Sequence, residues 1–215
     1  MRIIEIIFLA FLSSKTFAQT SKISLEANYG INGNFFVANR DEQSGPTDKT
    51  YFYKKNFIGT IGGFELTYKT GIKSSLFIGY NRSVNASSKN HFGQISNVDI
   101  SIRDFTLRDI NSILLIGYRK GLFDKKYKGS FELGPVLMYS AIQDIMIENW
   151  DNIIFIDESN FKNSQSVEGG LFVGFQIARK IDNHFDIGLR FRTHYLISVS
   201  SLEMITLTPT LTYRF

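Results

Sequence analysis

The chain has 215 residues, no Cys, 43% apolar and 20% charged residues, and a formal net charge of +4. This balance excludes a disordered chain, and the missing Cys excludes a disulfide scaffold, a zinc–thiolate centre and a cysteine nucleophile. The mild charge without a basic stripe gives no indication of nucleic acid as a partner, and the length favours a single domain.

The N-terminus has the organisation of an export signal. Arg2 supplies positive charge, residues 6–12 form a short apolar segment, and residues 16–18 (Thr-Phe-Ala) make a small-x-small cleavage site. Glu5 is unusual within such a segment. We predict that residues 1–18 are a cleaved signal peptide and that residues 19–215 form one exported domain.

The exported part alternates between apolar and small or polar residues, which is the pattern of half-buried β-strands. No amphipathic helix pattern competes with it. The predicted strands span residues 23–37, 57–69, 72–84, 98–118, 130–141, 167–177, 185–199 and 205–215. The fourth strand is ambiguous, because Ile113 and Leu115 put apolar residues on both of its faces.

Connection lengths also alternate, with long segments at 38–56, 86–97 and 142–165. Eight alternating segments behind an export signal predict an all-β protein, an eight-stranded antiparallel up-and-down transmembrane β-barrel. Pro135 and Pro209 fall inside predicted strands and each removes a hydrogen-bond donor, so we expect bulges or shifted strand ends there.

Periodicity alone does not decide which face points inward, and a soluble lipocalin-like barrel is the alternative. Long apolar faces, aromatic residues near the strand ends and charges of both signs on the polar faces favour the membrane version. An eight-stranded barrel is narrow enough to be filled by its own side chains. The predicted polar network of the lumen comprises Glu26, Glu65, Lys73, Glu132, Glu168, Arg190, Arg192, His194 and Arg214.

The C-terminus carries the sharpest local motif. Residues 208–215 place a polar residue, Thr208, before two aromatic residues at alternate positions, Tyr213 and Phe215, with Thr210 where Gly is usual. This segment resembles the terminal assembly signal of the small outer-membrane barrels of the OmpA transmembrane-domain and OmpX type. The Ala18–Gln19 junction and the Ile-, Asn- and Lys-rich composition are similar to those of Bacteroidetes outer-membrane proteins. The resemblance implies insertion by the barrel assembly machinery into a Gram-negative outer membrane, among lipid and lipopolysaccharide.

Some small outer-membrane barrels are lipid A deacylases with a His-x-Ser pair. Here His194 is followed by Tyr195 and Leu196, so that motif is missing. His194 could group with Ser198, Ser200 and Glu168 for nucleophilic chemistry, but a polar network that fills the lumen is favoured. We predict no catalytic residue, no metal site and no cofactor.

The third long connection, residues 142–165, is the most distinctive candidate surface. Two apolar arms flank a turn-rich centre, which predicts a β-hairpin projecting beyond the barrel. Glu148, Trp150 and Asp151 near its tip form a candidate site for a protein partner, and no Lys or Arg occurs in residues 142–158. Capture of a partner by strand addition and divalent-cation bridging to lipopolysaccharide are both open, as is a hairpin that only covers its own barrel.

These patterns favour a non-enzymatic integral outer-membrane barrel with a structural, adhesion or surface-interaction role through its extracellular loops. The alternatives are a lipid A-modifying membrane enzyme and a soluble exported lipocalin-like binding barrel. An enzyme predicts an altered lipid A profile after deletion, whereas a soluble barrel predicts extraction without detergent.

Overall fold

The structure, a computed structural model, describes residues 22–34, 58–95, 98–124, 126–142, 144–150, 153–159, 165–197 and 201–215. The predicted signal peptide and the predicted loop at 38–56 lie outside these residues. The described residues form ten strands: β1 (Ile23–Asn34), β2 (Ile58–Lys69), β3 (Ser74–Ile95), β4 (Val98–Asp124), β5 (Lys128–Ile142), β6 (Asp144–Trp150), β7 (Ile153–Ser159), β8 (Gln165–Lys180), β9 (Phe185–Leu196) and β10 (Ser201–Arg214).

Eight of these strands form a closed antiparallel barrel, which confirms the predicted fold class. The order around the barrel is β1-β10-β9-β8-β5-β4-β3-β2, so neighbours in space are neighbours along the chain apart from the β6–β7 excursion. The barrel closes between β1 and β10, where Ser24 is paired with Arg214 and Asn34 with Met204. Closure leaves no barrel strand with an open edge along its paired length, as a spanning sheet requires.

The barrel has apolar side chains on its outer face, and its lumen holds polar side chains together with a buried apolar set. On β4, Leu114 and Ile116 are 41% and 53% exposed, whereas Ile113 and Leu115 are fully buried, which settles the ambiguous strand. On β1, Glu26, Asn28 and Asn32 are buried in the lumen, while Tyr29 and Ile31 are exposed on the outer face. In the described part of the chain, no helix is long and apolar enough to cross a membrane.

The hairpin of β3 and β4 is longer than predicted. The predicted loop at 86–97 is largely strand, because pairing continues from Val84 and Ile110 up to Ile95 and Val98. β2 joins β3 only as far as Val84, and β5 ends at Ile142, paired with Asp109 of β4. The outer halves of β3 and β4 therefore form a two-stranded ribbon beyond the barrel wall.

The two strand prolines do not cause the expected bulges. Pairing of β4 with β5 skips Gly134 and Pro135 but resumes in the same register, and pairing of β1 with β10 likewise skips Thr208 and Pro209. Each proline has no N–H to donate to the neighbouring strand with which pairing is interrupted. Each keeps regular pairing with the strand on its other side, Pro135 with β8 and Pro209 with β9. Register shifts occur instead at 89–91, 121–123 and 202–204.

The predicted hairpin in the third long connection is present. β6 pairs with β7 from Asp144 with Ser159 to Trp150 with Ile153, and the two strands make a separate sheet. Glu148 and Trp150 belong to β6, whereas Asp151 lies outside the described residues.

Candidate functional site: a charged cluster that fills the lumen

Six charged side chains from five strands meet in the centre of the barrel. We call them the lumen cluster: Glu26 on β1, Glu65 on β2, Arg119 on β4, Glu132 on β5, and Arg190 and Arg192 on β9. Three carboxylates face three guanidinium groups, so the formal charges cancel. All but Arg119 have side chains no more than 2% exposed, so the cluster is almost wholly buried.

Arg190 and Arg192 join the carboxylates of different strands. Arg190 Nη1 lies 2.5 Å from Glu26 Oε1 and 2.9 Å from Glu65 Oε1. Arg192 Nη1 lies 2.5 Å from Glu65 Oε1, and its Nε donates to Glu132 Oε2 at 2.9 Å. The two arginines of β9 therefore connect that strand, across the lumen, with β1, β2 and β5. Because a buried charge is costly unless it is paired, these contacts are what allow three carboxylates in the interior.

Arg119 is a cluster member that the sequence did not predict. Its Nη2 lies 3.1 Å from Glu65 Oε2 and 3.2 Å from Glu132 Oε1. The predicted fourth strand ends at residue 118, but β4 continues to Asp124, so residue 119 is still in the barrel wall. Its odd position, in step with the lumen-facing Ile113 and Leu115, was the available signal.

Neutral polar groups complete the coordination of Glu26. Gln176 Nε2 donates to Glu26 Oε2 at 2.7 Å, and Thr212 Oγ1 donates to the same oxygen at 2.9 Å. Gln176 also donates to Thr210 Oγ1 at 3.0 Å. The carboxylate thus has partners on three sides, as a buried charge requires.

Two aromatic rings cover the cluster and begin an apolar layer inside the barrel. The guanidinium of Arg192 lies 5.2 Å from the ring centroid of Phe77 and 5.0 Å from that of Phe172, and Arg119 lies 4.9 Å from Phe77. These distances fit cation–π contacts. The buried apolar set consists of Ile61, Phe77, Ile113, Leu115, Val136, Met138, Phe172, Leu196 and Met204. The lumen is therefore filled by a charged layer and an apolar layer.

Lumen-facing glycines provide the space for these large side chains. A Cβ at Gly117 would overlap the ring of Phe77 and lie 2.7 Å from Cζ of Phe172. A Cβ at Gly79 would lie 2.7 Å from Cγ of Glu65. These lumen-facing glycines, which have no side chain, thus leave the space that Glu65 and the two aromatic rings occupy.

The remaining predicted lumen residues lie elsewhere. Lys73 is exposed in the turn between β2 and β3, and Glu168 is half-buried on β8 opposite Met138. Arg214 pairs with Asp186, Nη2 to Oδ1 at 3.1 Å, and not with a glutamate of the cluster.

The possible Ser/His/Glu grouping is not assembled among the described residues. His194 is buried on β9, with its ring centroid 6.2 Å from that of Phe172, the residue directly across from it on β8. Glu168 is four residues further along β8, a separation of about 13 Å along the strand. Ser198 and Ser200 lie outside the described residues.

The C-terminal motif lies on two faces of β10. Thr208 is buried in the lumen, whereas Tyr213 packs on the outer side with ring centroids 5.1 Å from both Phe185 and Phe215. His184 stacks on Tyr213 at 5.8 Å. An aromatic cluster therefore lies at the short-turn end of β9 and β10.

The turn between β8 and β9 is closed by a carboxylate. Asp182 Oδ1 accepts hydrogen bonds from the backbone N–H groups of His184 and Phe185, at 2.6 and 2.7 Å. These donors stabilise the ionised form and hold the pKa of Asp182 below its usual value. The residue sits outside the strands, at the short-turn end.

Among the described residues, no group of His, Asp and Glu is arranged to hold a metal ion. The geometry defines the fold class as a closed eight-stranded antiparallel barrel whose lumen is filled by side chains. No protein-family model matches the sequence, and no curated protein matches it.

Solved structures show the same fold at low sequence identity. Ail, the attachment invasion locus protein of Yersinia pestis, crystallised with the heparin analogue sucrose octasulfate, has a TM-score of 0.52 at 10% identity over 92% of this chain and 100% of that chain. Neisserial surface protein A has a TM-score of 0.51 at 12% identity, over 91% of this chain and 98% of that chain. The N-terminal β-barrel domain of Pseudomonas aeruginosa OprF has a TM-score of 0.50 at 9% identity, over 92% of this chain and 100% of that chain. These likenesses confirm the resemblance in fold, while a Bacteroidetes-type origin stays a prediction.

Proposed function

We propose that this chain is an integral outer-membrane barrel without enzymatic activity, which presents a binding surface beyond the membrane at the end opposite the short turns. The observation that carries the proposal is the reversed polarity of the barrel. Its outer face exposes apolar residues on all eight strands, and its buried centre holds charges. Such a protein is stable where lipid surrounds the barrel, because the outer face would otherwise present a large apolar surface to water.

The filled lumen supports a role at the surface over a role as a wide pore. The lumen cluster and the apolar layer above it occupy the centre of the barrel. An eight-stranded barrel leaves little more room than its own side chains need. Transport of solutes through the lumen is therefore disfavoured, and the segments beyond the barrel are the better candidates for function.

The membrane assignment is tested by cell fractionation and gel mobility. We expect the protein in the outer-membrane fraction, with a folded band that shifts on boiling. A protein extracted without detergent, with no mobility shift, would instead support the soluble lipocalin-like alternative.

The surface role is assigned to the β6–β7 hairpin together with the outer part of β3 and β4. An isolated two-stranded sheet is marginally stable in water and presents two open edges, so added strands would stabilise it. Residues 142–158 hold five acidic residues and no Lys or Arg. Ail, by its title, is in complex with the sulfated ligand sucrose octasulfate. In this chain the hairpin is acidic, so the partner that it favours is a cationic, extended protein segment.

Two hairpin variants test this surface. The first replaces residues 144–159 by a short Gly-Ser linker, and the second, Asp144→Asn with Glu148→Gln, Asp157→Asn and Glu158→Gln, removes charge but keeps the strands. With a lysine-rich extended peptide as probe, we expect binding to be lost in the first variant and weakened in the second. Equal binding by both variants and the unaltered chain would reject the hairpin as the binding surface. An unchanged lipid A profile after gene deletion would count against the enzymatic alternative.

A further inference from the structure

The barrel opens at its short-turn end into a cavity, which we call the vestibule. Its floor is the lumen cluster, since Glu26 and Arg119 both line it. Arg119 is the cluster member with a partly exposed side chain, 13% against 2% for Arg190 and Arg192. The vestibule therefore ends on the cluster, and a ligand that enters from the short turns meets a charged floor.

The vestibule is lined by five cationic and three anionic residues. Two of the three carboxylates already have cationic or polar partners. Glu26 is held within the lumen cluster, and Asp186 lies 3.6 Å from Lys128 Nζ and 3.1 Å from Arg214 Nη2. Asp124, the third carboxylate, belongs to the end of β4, at the register position opposite Lys128 of β5. The three carboxylates therefore lie in the floor and in the wall formed by β4, β5, β9 and β10.

The opposite wall, formed by β2 and β3, carries hydrogen-bond donors without acceptors. Lys69 ends β2 directly across from Ser75, and Lys73 lies in the turn between them. In the part of the chain that the structure describes, neither ammonium group has an ion-pair partner. Thr67, also in this wall, is only 5% exposed, and its Oγ1 has no hydrogen-bond partner among the described residues.

We propose that the vestibule is an oxyanion site, which takes a phosphate or carboxylate group on the wall of Thr67, Lys69 and Lys73. Hydroxyl and ammonium groups donate hydrogen bonds, and oxyanions accept several at once, so the chemistry matches. The excess of positive charge in a cleft with apolar surroundings concentrates anions there. A bound oxyanion would also supply the acceptor that the buried hydroxyl of Thr67 lacks.

The position of the vestibule identifies the compartment of the ligand. Phe215 N donates to Ile23 O at 3.3 Å, so both ends of the described barrel lie at the short-turn mouth. Under the proposed function this mouth faces the periplasm, and the ligand is a phosphate or carboxylate group present there. The binding reaction itself does not rest on the membrane assignment, because it can be measured in detergent.

The test is an NMR titration of the full chain refolded in detergent micelles. Inorganic phosphate and acetate are the two probes, and chloride at matched ionic strength reports non-specific charge effects. We expect saturable shifts of the amide signals at residues 67–75 with phosphate, acetate or both. Loss of one strong charged hydrogen bond corresponds to about tenfold weaker binding, so Lys69→Gln with Lys73→Gln, which removes two ammonium donors, should weaken binding by at least about tenfold. Thr67→Val should weaken binding less.

The matched control is Lys126→Gln with Lys180→Gln, which removes the same charge at the same end from residues that do not line the vestibule. Saturation with phosphate alone identifies a phosphate group, and saturation with acetate alone identifies a carboxylate. The proposal is overturned if shifts rise without saturation and equally with chloride, or if both double variants weaken binding alike. Failure of the fractionation experiment would leave this titration unaffected, so the two proposals fail separately.

Discussion

Glu26 and Glu65 are direct cross-strand neighbours, two buried carboxylates at the same register position of β1 and β2. Like charges in this position destabilise an antiparallel pair. Arg190 reverses the sign of the interaction, because its Nη1 contacts one oxygen of each carboxylate, at 2.5 and 2.9 Å. The pairing of the first two strands therefore depends on a residue of β9.

Arg190→Gln should be strongly destabilising. It leaves two neighbouring carboxylates without their shared cation, and removal of one partner from a buried ion pair typically costs about 3–5 kcal/mol. Urea unfolding in micelles, followed by loss of the folded gel band, measures the change. Arg179→Gln, at an exposed position on β8, is the control and should cost under about 1 kcal/mol.

A double variant separates charge balance from lost contacts. Arg190→Gln with Glu26→Gln restores neutrality, so part of the lost free energy of unfolding should return. If the second substitution adds a further loss of its own, like-charge repulsion is not the cause of the destabilisation.

Gly117→Ala should destabilise the barrel by about 1–3 kcal/mol, the usual cost of overpacking. The new methyl group would meet the rings of Phe77 and Phe172, which are held against arginines of the lumen cluster. Phe77→Leu added to Gly117→Ala should recover part of the loss. Gly33→Ala is the matched control, since a Cβ there meets nothing within 4 Å; comparable losses at both glycines would contradict the packing argument.

Asp182 should make stability depend on pH at the short-turn end. Because its pKa is lowered in the folded state, its contribution is fully present above the unfolded-state value of about 4 and is lost as pH falls through the lower folded value. The difference in unfolding free energy between the unaltered chain and Asp182→Ala should thus be constant near neutrality and shrink in acid. Asp182→Asn keeps an acceptor oxygen but has no charge to titrate, so it should lack this pH-dependent part. A difference that persists unchanged in strong acid would exclude the mechanism.

Phe215 should matter more for assembly in cells than for stability. Phe215→Ala removes one ring from the cluster around Tyr213, but it also removes the terminal aromatic residue of the predicted assembly signal. We expect a lower amount in the outer membrane with nearly normal refolding in detergent. Phe185→Ala removes a ring at the same 5.1 Å distance from Tyr213 and should affect both measurements together. Equal behaviour of the two variants would assign Phe215 a packing role only.

The faces of the strands could be predicted from the sequence because the side-chain period is two and each face has one environment. β4 shows the limit of that argument, since both of its faces are apolar at one level. The outward-facing residues there are Leu114 and Ile116, and the lumen-facing ones are Ile113 and Leu115. Composition did not distinguish an apolar residue that contacts lipid from one that fills the lumen. Only closure of the barrel, which surrounds Ile113 with side chains of other strands, decides between them.

The partners within the lumen could not be predicted, because they depend on the stagger of strands far apart in sequence. Arg190 and Glu26 are 164 residues apart and meet only when β9 and β1 lie on opposite sides of β10. Lys73 and Arg119 have opposite outcomes for a local reason. The turn after Lys69 places Lys73 beyond the ends of β2 and β3, whereas an extended β4 keeps Arg119 within a barrel strand.

The order of the cluster charges along the chain has a consequence for biogenesis. The three glutamates come from β1, β2 and β5, and two of the three arginines come from β9, so a chain that stops before β9 has three acids and Arg119 alone. Thr212 of the last strand then donates a further hydrogen bond to the carboxylate of Glu26 on the first strand. Charge neutrality of the lumen cluster is therefore reached only when β9 is in place. A barrel that closed without β9 would bury three carboxylates with a single guanidinium group, which is strongly unfavourable.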